Sequence, residues 1–320
     1  MTEHRVGLVY PLDDEPTAKL LSDSVTVVVP ENDGPEAMTR LLAEVDAVIM
    51  RSPAKIDREQ IAESPGLRII AGLGAGTDTV DLDAAADHRV RIVNASGVSP
   101  ETIGEYVIAA MSLARRGLFR ANYALRTGEN FEWKKRTAYR GRQVTGCTLG
   151  VVGFGHIGKA AARMAQAAFN VRVLAYDPVV TIDDPSVRQV HDLNELMRES
   201  DVVSMHTPLL PSTRKLIGAE HLRLLGRDGV FINISRGGVV DQDALLDALE
   251  NGTLGNAVLD VYDPEPPSDE TLARLTALPG VFLTPHLGGQ TFEAHAARER
   301  SVVEQVLAAL GSESTGTGGR

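Results

Sequence analysis

Three glycines in the run Gly153-Phe-Gly155-His156-Ile157-Gly158 have the spacing of a turn that receives a pyrophosphate. Residues 147–152 before it read as a buried strand, and residues 159–168 after it are strong helix formers. A strand that turns through glycines into a helix start aims unpaired backbone N–H groups and the positive end of the helix dipole at one spot. The glycines permit the tight turn, the close approach of phosphates and the close packing of helix on strand. Residues 171–176 read as the next strand and end in Asp177, nineteen residues after Gly158. An acidic group at that distance accepts hydrogen bonds from a ribose 2′-hydroxyl and repels a 2′-phosphate. No Lys or Arg follows within residues 178–183 to answer such a phosphate, so the cofactor expected is NAD rather than NADP.

Four further polar segments each follow a predicted strand. They carry His206-Thr207-Pro208 with Thr213, then Ile234-Ser235-Arg236, then Asp260 with Asp263 and Glu265, then His286 with Gly288 and Gly289. In an open parallel sheet, ligands bind beyond the carboxyl ends of the strands, so these segments should converge on the cofactor. An arginine guanidinium can fork across two oxygens of one anion. A histidine near its working pKa can pass a proton, and a carboxylate on its other nitrogen would favour the imidazolium.

The elements that must position these groups alternate. Strands are expected at residues 6–10, 25–29, 47–50, 67–71 and 91–94, and again at 148–152, 171–176, 202–205, 230–234, 256–259 and 281–284. Helical patterns lie between most of them, which argues for parallel sheets built from βαβ units. The nucleotide turn follows the sixth strand, so an α/β unit of its own precedes the cofactor unit. A long helical pattern is expected from Pro100, a residue suited to a first helical turn, to about Arg126. The fold class expected is α/β, with two Rossmann-like, doubly wound parallel-sheet domains and a cleft between them. Residues 1–98 with 286–320 should form a discontinuous substrate-binding domain, and 99–285 the NAD-binding domain. A terminal helix is expected at 291–310, with a disordered tail at 312–320, which has no apolar anchor.

Composition excludes other classes. The 320 residues carry a net charge of −11, a poor match to nucleic acid, whose affinity rests on Lys and Arg. Cys147 is the only cysteine, so no internal disulfide can form and a reducing compartment fits. No apolar run approaches a membrane span, and residues 1–5 lack the pattern of a signal peptide. No metal-ligand pattern stands out. A cytoplasmic location is expected.

In the order G-F-G-H-I-G, Y-D-P, H-T-P-L-L-P-S-T, I-S-R-G-G-V-V-D, L-D-V-Y-D-P-E-P-P and T-P-H-L-G-G, the chain resembles the D-isomer-specific 2-hydroxyacid dehydrogenases. Within them it resembles the phosphoglycerate dehydrogenase-like branch, over about residues 45–310. The resemblance implies two α/β domains, NAD, and hydride transfer between nicotinamide and C2 of a small 2-hydroxy or 2-oxo acid. It implies that Arg236, Glu265 and His286 are catalytic, with Asp263 as a rival for the carboxylate. It implies cofactor contacts from Gly153, Gly155, His156, Ile157, Gly158, Asp177, Thr207, Pro208, Thr213, Ile234, Ser235, Asp260, Gly288 and Gly289. His206 belongs with them, or else is a satisfied structural histidine. In the first domain the glycine-rich loop with Leu73, Gly74 and Ala75 is similar to the family's nest of N–H groups for the substrate carboxylate. Arg51-Ser52 matches an R-S pair whose arginine faces substrate. Dimers are usual in the family, through the helix from Pro100 and the Trp133 loop, so a homodimer is expected.

Departures leave the substrate open. Gly72 or Leu73 stands where the branch often has an arginine, and Ser99 where it tends to have asparagine. Lys134, Lys135 and Arg136 would partly replace that charge, and Glu101 adds a negative one. The sequence does not separate 3-phosphoglycerate, glycerate or hydroxypyruvate, and a phosphonate analogue. Two alternatives stay open: a non-catalytic NAD(H)-sensing interaction protein on the same fold, and a phosphite-type dehydrogenase.

Overall fold

The computed structural model describes residues 4–128 and 135–314. In chain order the elements of the amino-terminal part are β1 (Arg5–Leu8), α1 (Glu15–Ser24), β2 (Thr26–Val28), α2 (Pro35–Glu44), β3 (Ala47–Met50), α3 (Arg58–Ala62), β4 (Ile69–Gly72), α4 (Leu82–Asp87) and β5 (Arg91–Asn94). Then come α5 (Pro100–Arg115), α6 (Leu118–Arg126), β6 (Thr148–Val152), α7 (His156–Phe169), β7 (Arg172–Tyr176), β8 (Val187–Gln189), α8 (Leu193–Glu199) and β9 (Val202–Met205). The chain ends with α9 (Ala219–Leu225), β10 (Val230–Asn233), α10 (Gln242–Glu250), β11 (Asn256–Leu259), α11 (Asp269–Thr276), β12 (Val281–Leu283) and α12 (Phe292–Ser314).

These elements form two compact units, Met1–Ser99 with Thr291–Arg320, and Pro100–Gln290. The first contains a five-stranded parallel sheet of order β2-β1-β3-β4-β5. One face of this sheet packs Val302, Val303, Val306 and Leu310 of α12, and the other packs Met38, Leu41, Leu42 and Ile61. The second unit contains a seven-stranded parallel sheet of order β12-β11-β10-β9-β6-β7-β8. Both orders are those of doubly wound α/β folds, whose winding reverses between β1 and β3 in the first sheet and between β6 and β9 in the second. Ligand sites are expected at the carboxyl ends of those pairs.

Several boundaries differ from the expectations. Residues 286–290 stay with the second unit, because Asp260 accepts the N–H groups of His286, Leu287 and Gly288. The helix from Pro100 breaks at Gly117, whose φ of 64° is left-handed, and resumes as α6. Its buried face, Val107, Ala110, Met111 and Ala114, packs with the alanine face of α7. A Cβ on Gly104 would sit 2.5 Å from the Met164 sulfur, so the Met164 side chain would have to move to admit one. Strand β8 went unforeseen because it is three residues long and its register with β7 buries only Val187. Helix α12 runs to Ser314, past the expected end at 310, and residues 315–320 of the expected tail lie outside the described residues. So do Trp133 and Lys134, and the side chains of Lys135 and Arg136. Among the described residues no helix is long and apolar enough to cross a membrane.

Candidate active site

At the reversal point of the second sheet, β6 runs into Gly153 and then, through Gly155, into α7. Gly153 has φ 92°, and a Cβ there would lie 2.8 Å from the carbonyl of His206 at the end of β9. A Cβ on Gly158 would lie 2.2 Å from the Gly153 oxygen, so helix, turn and neighbouring strand approach as only glycine allows. Gly155 caps α7 without a side-chain bond, which leaves the first-turn N–H groups to an outside acceptor.

Asp177 closes this turn. Its Oδ2 accepts the N–H of Phe154 at 2.8 Å, and its Oδ1 accepts those of Val179 and Val180 at 2.9 Å. Burial disfavours its charge, but the bonds from Phe154, Val180 and Val179 and the nearby Lys159 outweigh that and hold its carboxyl below the usual carboxylate range. Three of about four acceptor positions are filled, leaving room for a ribose hydroxyl. Beside it, both ring nitrogens of His206 and the hydroxyls of Thr207 and Ser204 are out of solvent contact with no partner among the described residues. Burial pulls the His206 imidazole down to about 4, so it is neutral at working pH. Thr213 instead caps its own loop, donating to the Pro208 carbonyl at 2.6 Å and accepting from Leu210 N–H. The Ile234 side chain is buried in the core, so only its backbone remains for a ligand.

The chemistry-bearing groups follow β10, β11 and β12. Asn233 at the end of β10 accepts the Ser235 N–H and hydroxyl and donates to the Arg236 carbonyl at 2.9 Å. The Arg236 guanidinium bonds back to the Ser235 carbonyl at 2.7 Å. Gly237 lets the next turn press on β11's continuation, since a Cβ there would meet the Tyr262 carbonyl at 1.9 Å. His286 Nδ1 lies 2.6 Å from Glu265 Oε1, with 43% and 36% of the two side chains exposed. Burial raises Glu265, but the His286 hydrogen bond and charge, the Tyr262 N–H and the Arg236 charge together lower its carboxyl below the usual range. Glu265 is therefore ionised and Nδ1 donates to it. Asp263, the rival carboxylate, pairs with Arg214 at 3.4 Å. Glu101 pairs with Arg163 at 3.1 Å, so its charge is answered locally.

His286 itself has φ 58°, a left-handed value that costs a non-glycine residue about 1–2 kcal/mol. Asp260, fully buried, holds it there. Its carboxylate accepts from Leu287 N–H at 2.6 Å, Gly288 N–H at 2.7 Å and the Thr284 hydroxyl at 2.5 Å, and its carbonyl accepts from His286 N–H at 2.9 Å. Thr284 in turn meets the Tyr106 hydroxyl of α5 at 2.5 Å, and the Tyr262 hydroxyl donates to the Thr284 carbonyl at 2.9 Å. Sequence reasoning missed Tyr106 and Thr284 in this web. Thr284 stood two residues before His286 in a recognised motif, whereas Tyr106 is 178 residues away and carried no signal.

In the first unit, Arg51 and the loop after β4 stand at strand ends. Among the described residues no hydrogen-bond acceptor is found for the Gly74 and Ala75 N–H groups, whereas Leu73 is corrected: its side chain is buried and its N–H donates to the Met50 carbonyl at 2.9 Å. Ser52 is exposed. A separate cavity of 570 Å³, lined by Arg115, Arg120, Arg140 and Arg227, opens at the amino-terminal ends of β10–β12, away from the strand ends that carry this chemistry.

A glycine turn of dinucleotide type, an aspartate at the end of the following strand and a histidine–carboxylate pair on one doubly wound sheet fit a nicotinamide-dependent oxidoreductase. Residues 108–288 match the family model "D-isomer specific 2-hydroxyacid dehydrogenase, NAD binding domain". The chain is 36% identical over 312 residues to the hydroxypyruvate reductase of Thermotoga maritima, covering 97% of this chain and 100% of that one. It is 33% identical to the D-3-phosphoglycerate dehydrogenase of Methanocaldococcus jannaschii, spanning 97% of this chain but 58% of that enzyme. The solved structure of the TT0316 protein from Thermus thermophilus superposes with a TM-score of 0.85 at 32% identity, covering 96% and 97% of the two chains. The chain belongs to the D-isomer-specific 2-hydroxyacid dehydrogenase family, and is an NAD-dependent dehydrogenase of that family.

Proposed function

We propose that the chain reduces the carbonyl of a short 2-oxo acid of the hydroxypyruvate type with NADH, and oxidises the matching D-2-hydroxy acid in reverse. The observation that carries this is the His286–Glu265 pair at 2.6 Å, on a loop clamped by a buried carboxylate. NAD supplies hydride exchange at C2. Arg236 orients the substrate carboxylate and polarises the carbonyl. With Nδ1–H committed to Glu265, His286 delivers a proton from Nε2 to the carbonyl oxygen and recovers it in oxidation. In the first unit, the loop with Gly74 and Ala75, and Arg51, are the proposed substrate-binding groups. The Thermotoga maritima relative named hydroxypyruvate reductase is matched over its full length, whereas the Methanocaldococcus jannaschii enzyme named D-3-phosphoglycerate dehydrogenase is matched over 58% of its own, which supports the unphosphorylated substrate.

The test follows NADH consumption against hydroxypyruvate, glyoxylate, pyruvate and 3-phosphohydroxypyruvate. His286→Ala should lower turnover on the order of 10²–10⁴-fold while NADH binding survives. Full activity in that variant, or no turnover of any 2-oxo acid by the parent protein, refutes the reading and favours the NAD(H)-sensing alternative. The active form is taken as a homodimer, as the family resemblance implies; a monomer by light scattering would overturn this.

A further inference from the structure

The 570 Å³ cavity at the amino-terminal ends of β10, β11 and β12 lies wholly within the Pro100–Gln290 unit. Arg236, Glu265 and His286 follow the opposite ends of the same strands, so the cavity is separate from the candidate active site. Five arginines line it, Arg115, Arg120, Arg140, Arg142 and Arg227, against one carboxylate, Asp228. Asp228 is spent on Arg142. Arg120, Arg140 and Arg227 have no carboxylate partner among the described residues, in a chain whose net charge is −11. Like charges gathered around one cavity repel each other and weaken the fold that holds them.

Arg115 distinguishes this wall from a solvated surface. Its side chain, in the last turn of α5, is only 8% exposed. Its Nε donates to the Gln143 carbonyl at 2.8 Å and its Nη2 to Asp201 at 3.0 Å. Its Nη1 is out of solvent contact and meets no acceptor among the described residues. A buried guanidinium with donors unanswered is costly, and more so with other cations beside it. The neighbouring backbone is fixed as well. A Cβ on Gly141 would lie 2.2 Å from the Arg116 carbonyl carbon, so only glycine lets residues 140–142 run against the end of α5, where the Arg142 N–H donates to the Arg115 carbonyl at 2.7 Å.

We infer that this cavity is a binding site for a compact anion carrying two or more phosphate groups. A guanidinium fork takes phosphate oxygens in pairs, and forks from α5, α6, residues 140–142 and the turn after α9 surround a ligand with several such groups. A monoanion would leave most of that charge unanswered. The cavity also has the size of small-molecule sites, which run from about 300 to 1,000 Å³. Adjacent phosphates, as in pyrophosphate, and phosphates spaced along a carbon skeleton, as in a sugar bisphosphate, share this chemistry.

The experiment is calorimetric titration of the full chain saturated with NADH, so that the glycine turn at Gly153 is filled. The probes are inorganic pyrophosphate, fructose 1,6-bisphosphate and inorganic phosphate at equal ionic strength. One of the first two should bind once per chain and at least about tenfold more tightly than phosphate, and the tighter of them reports the spacing the cavity takes. Arg140→Gln combined with Arg227→Gln should weaken that binding about tenfold or more, with turnover and the Kd for NADH unchanged. The paired lysine replacements should recover part of the loss. Asp228→Asn removes the one lining carboxylate and should tighten binding, a gain that damage to the fold would not produce. No heat from either probe, affinity no better than that of phosphate, or a double glutamine variant that binds like its parent overturns the site. Because the readout is binding with cofactor present, each of these results leaves the dehydrogenase reading standing.

Discussion

Replacing Thr284 by valine keeps the shape of the side chain and deletes one hydroxyl. That hydroxyl donates to Asp260 at 2.5 Å and receives the Tyr106 hydroxyl at 2.5 Å. Burial pushes the Tyr106 phenol up to about 12, so this group acts as a neutral donor. A hydrogen bond to a charged group contributes about 1.5–3 kcal/mol, and leaving the half-buried Tyr106 hydroxyl without this partner costs about 1 kcal/mol. Thr284→Val should therefore destabilise the NAD-binding unit by about 2–4 kcal/mol, which lowers its melting midpoint by roughly 10 °C. Asp260 keeps the Leu287 and Gly288 N–H groups, so the loop stays but loosens, and His286 spends less time in its left-handed conformation. The expected kinetic signature is a kcat reduced by about tenfold with little change in the Kd for NADH. Tyr106→Phe leaves the Thr284–Asp260 bond in place and should cost only about 1 kcal/mol. Calorimetry and steady-state kinetics on the two variants decide the matter. A Thr284→Val protein that melts and turns over like its parent, or a Tyr106→Phe variant that is the worse of the two, refutes the clamp.

Three further outcomes are expected. Asp177→Ala should narrow the preference for NAD over NADP by about tenfold or more and weaken both cofactors, because the same carboxylate orders Phe154 in the glycine turn. An unchanged ratio of the two kcat/KM values would show that Asp177 serves the turn alone. Gly237→Ala drives a Cβ into the Tyr262 carbonyl, 1.9 Å away, and should cut kcat/KM on the order of 10²-fold by displacing Arg236; near-parental kinetics would show that the turn yields cheaply. The depressed Glu265 carboxyl stabilises the folded, ionised pair at pH values above the unfolded Glu range of about 4.3, and that contribution disappears as pH falls through the lower folded value. Since the pair is partly exposed the effect is modest, and Glu265→Gln should flatten the acid end of the stability–pH curve by unfolding titration; an identical acid limb would exclude it.

The nucleotide turn was legible in sequence because its determinants are local. Glycine at 153, 155 and 158 reports a backbone that side chains would obstruct, and alternation of apolar runs with helix formers reports parallel βαβ winding. The candidate catalytic residues were singled out only through a resemblance, since nothing in the spacing of residues 236, 265 and 286 says that three different strands end side by side. What stayed hidden depended on long-range pairing. The break at Gly117 looked like one helix because its flanks are both helical in pattern, and β8 is too short for any periodicity to register. Leu73 was expected to offer its N–H to a ligand, but pairing with the neighbouring strand commits that N–H to Met50. Tyr106 lies on a helix whose pattern reports only its buried apolar face.

Asp177 and Asp260 share a logic that sequence motifs conceal. Each was read as a group that touches the cofactor, and each is first of all a fixture for backbone N–H groups, three from the turn at Asp177 and two from the loop at Asp260. A carboxylate that accepts several N–H groups from a loop fixes that loop without needing regular structure, which suits turns at strand ends where ligands must approach. Glu299 does the same for Asp13 and Asp14 in the other unit. Removing any of the three should therefore injure geometry and chemistry together, and alanine scanning alone would overstate their contact with ligand. Asparagine variants separate the two, because they keep one acceptor oxygen for the backbone while removing the charge. If Asp260→Asn retained the parental melting midpoint yet lost turnover, charge beside the nicotinamide site would be its function; if both fell together, holding His286 would be.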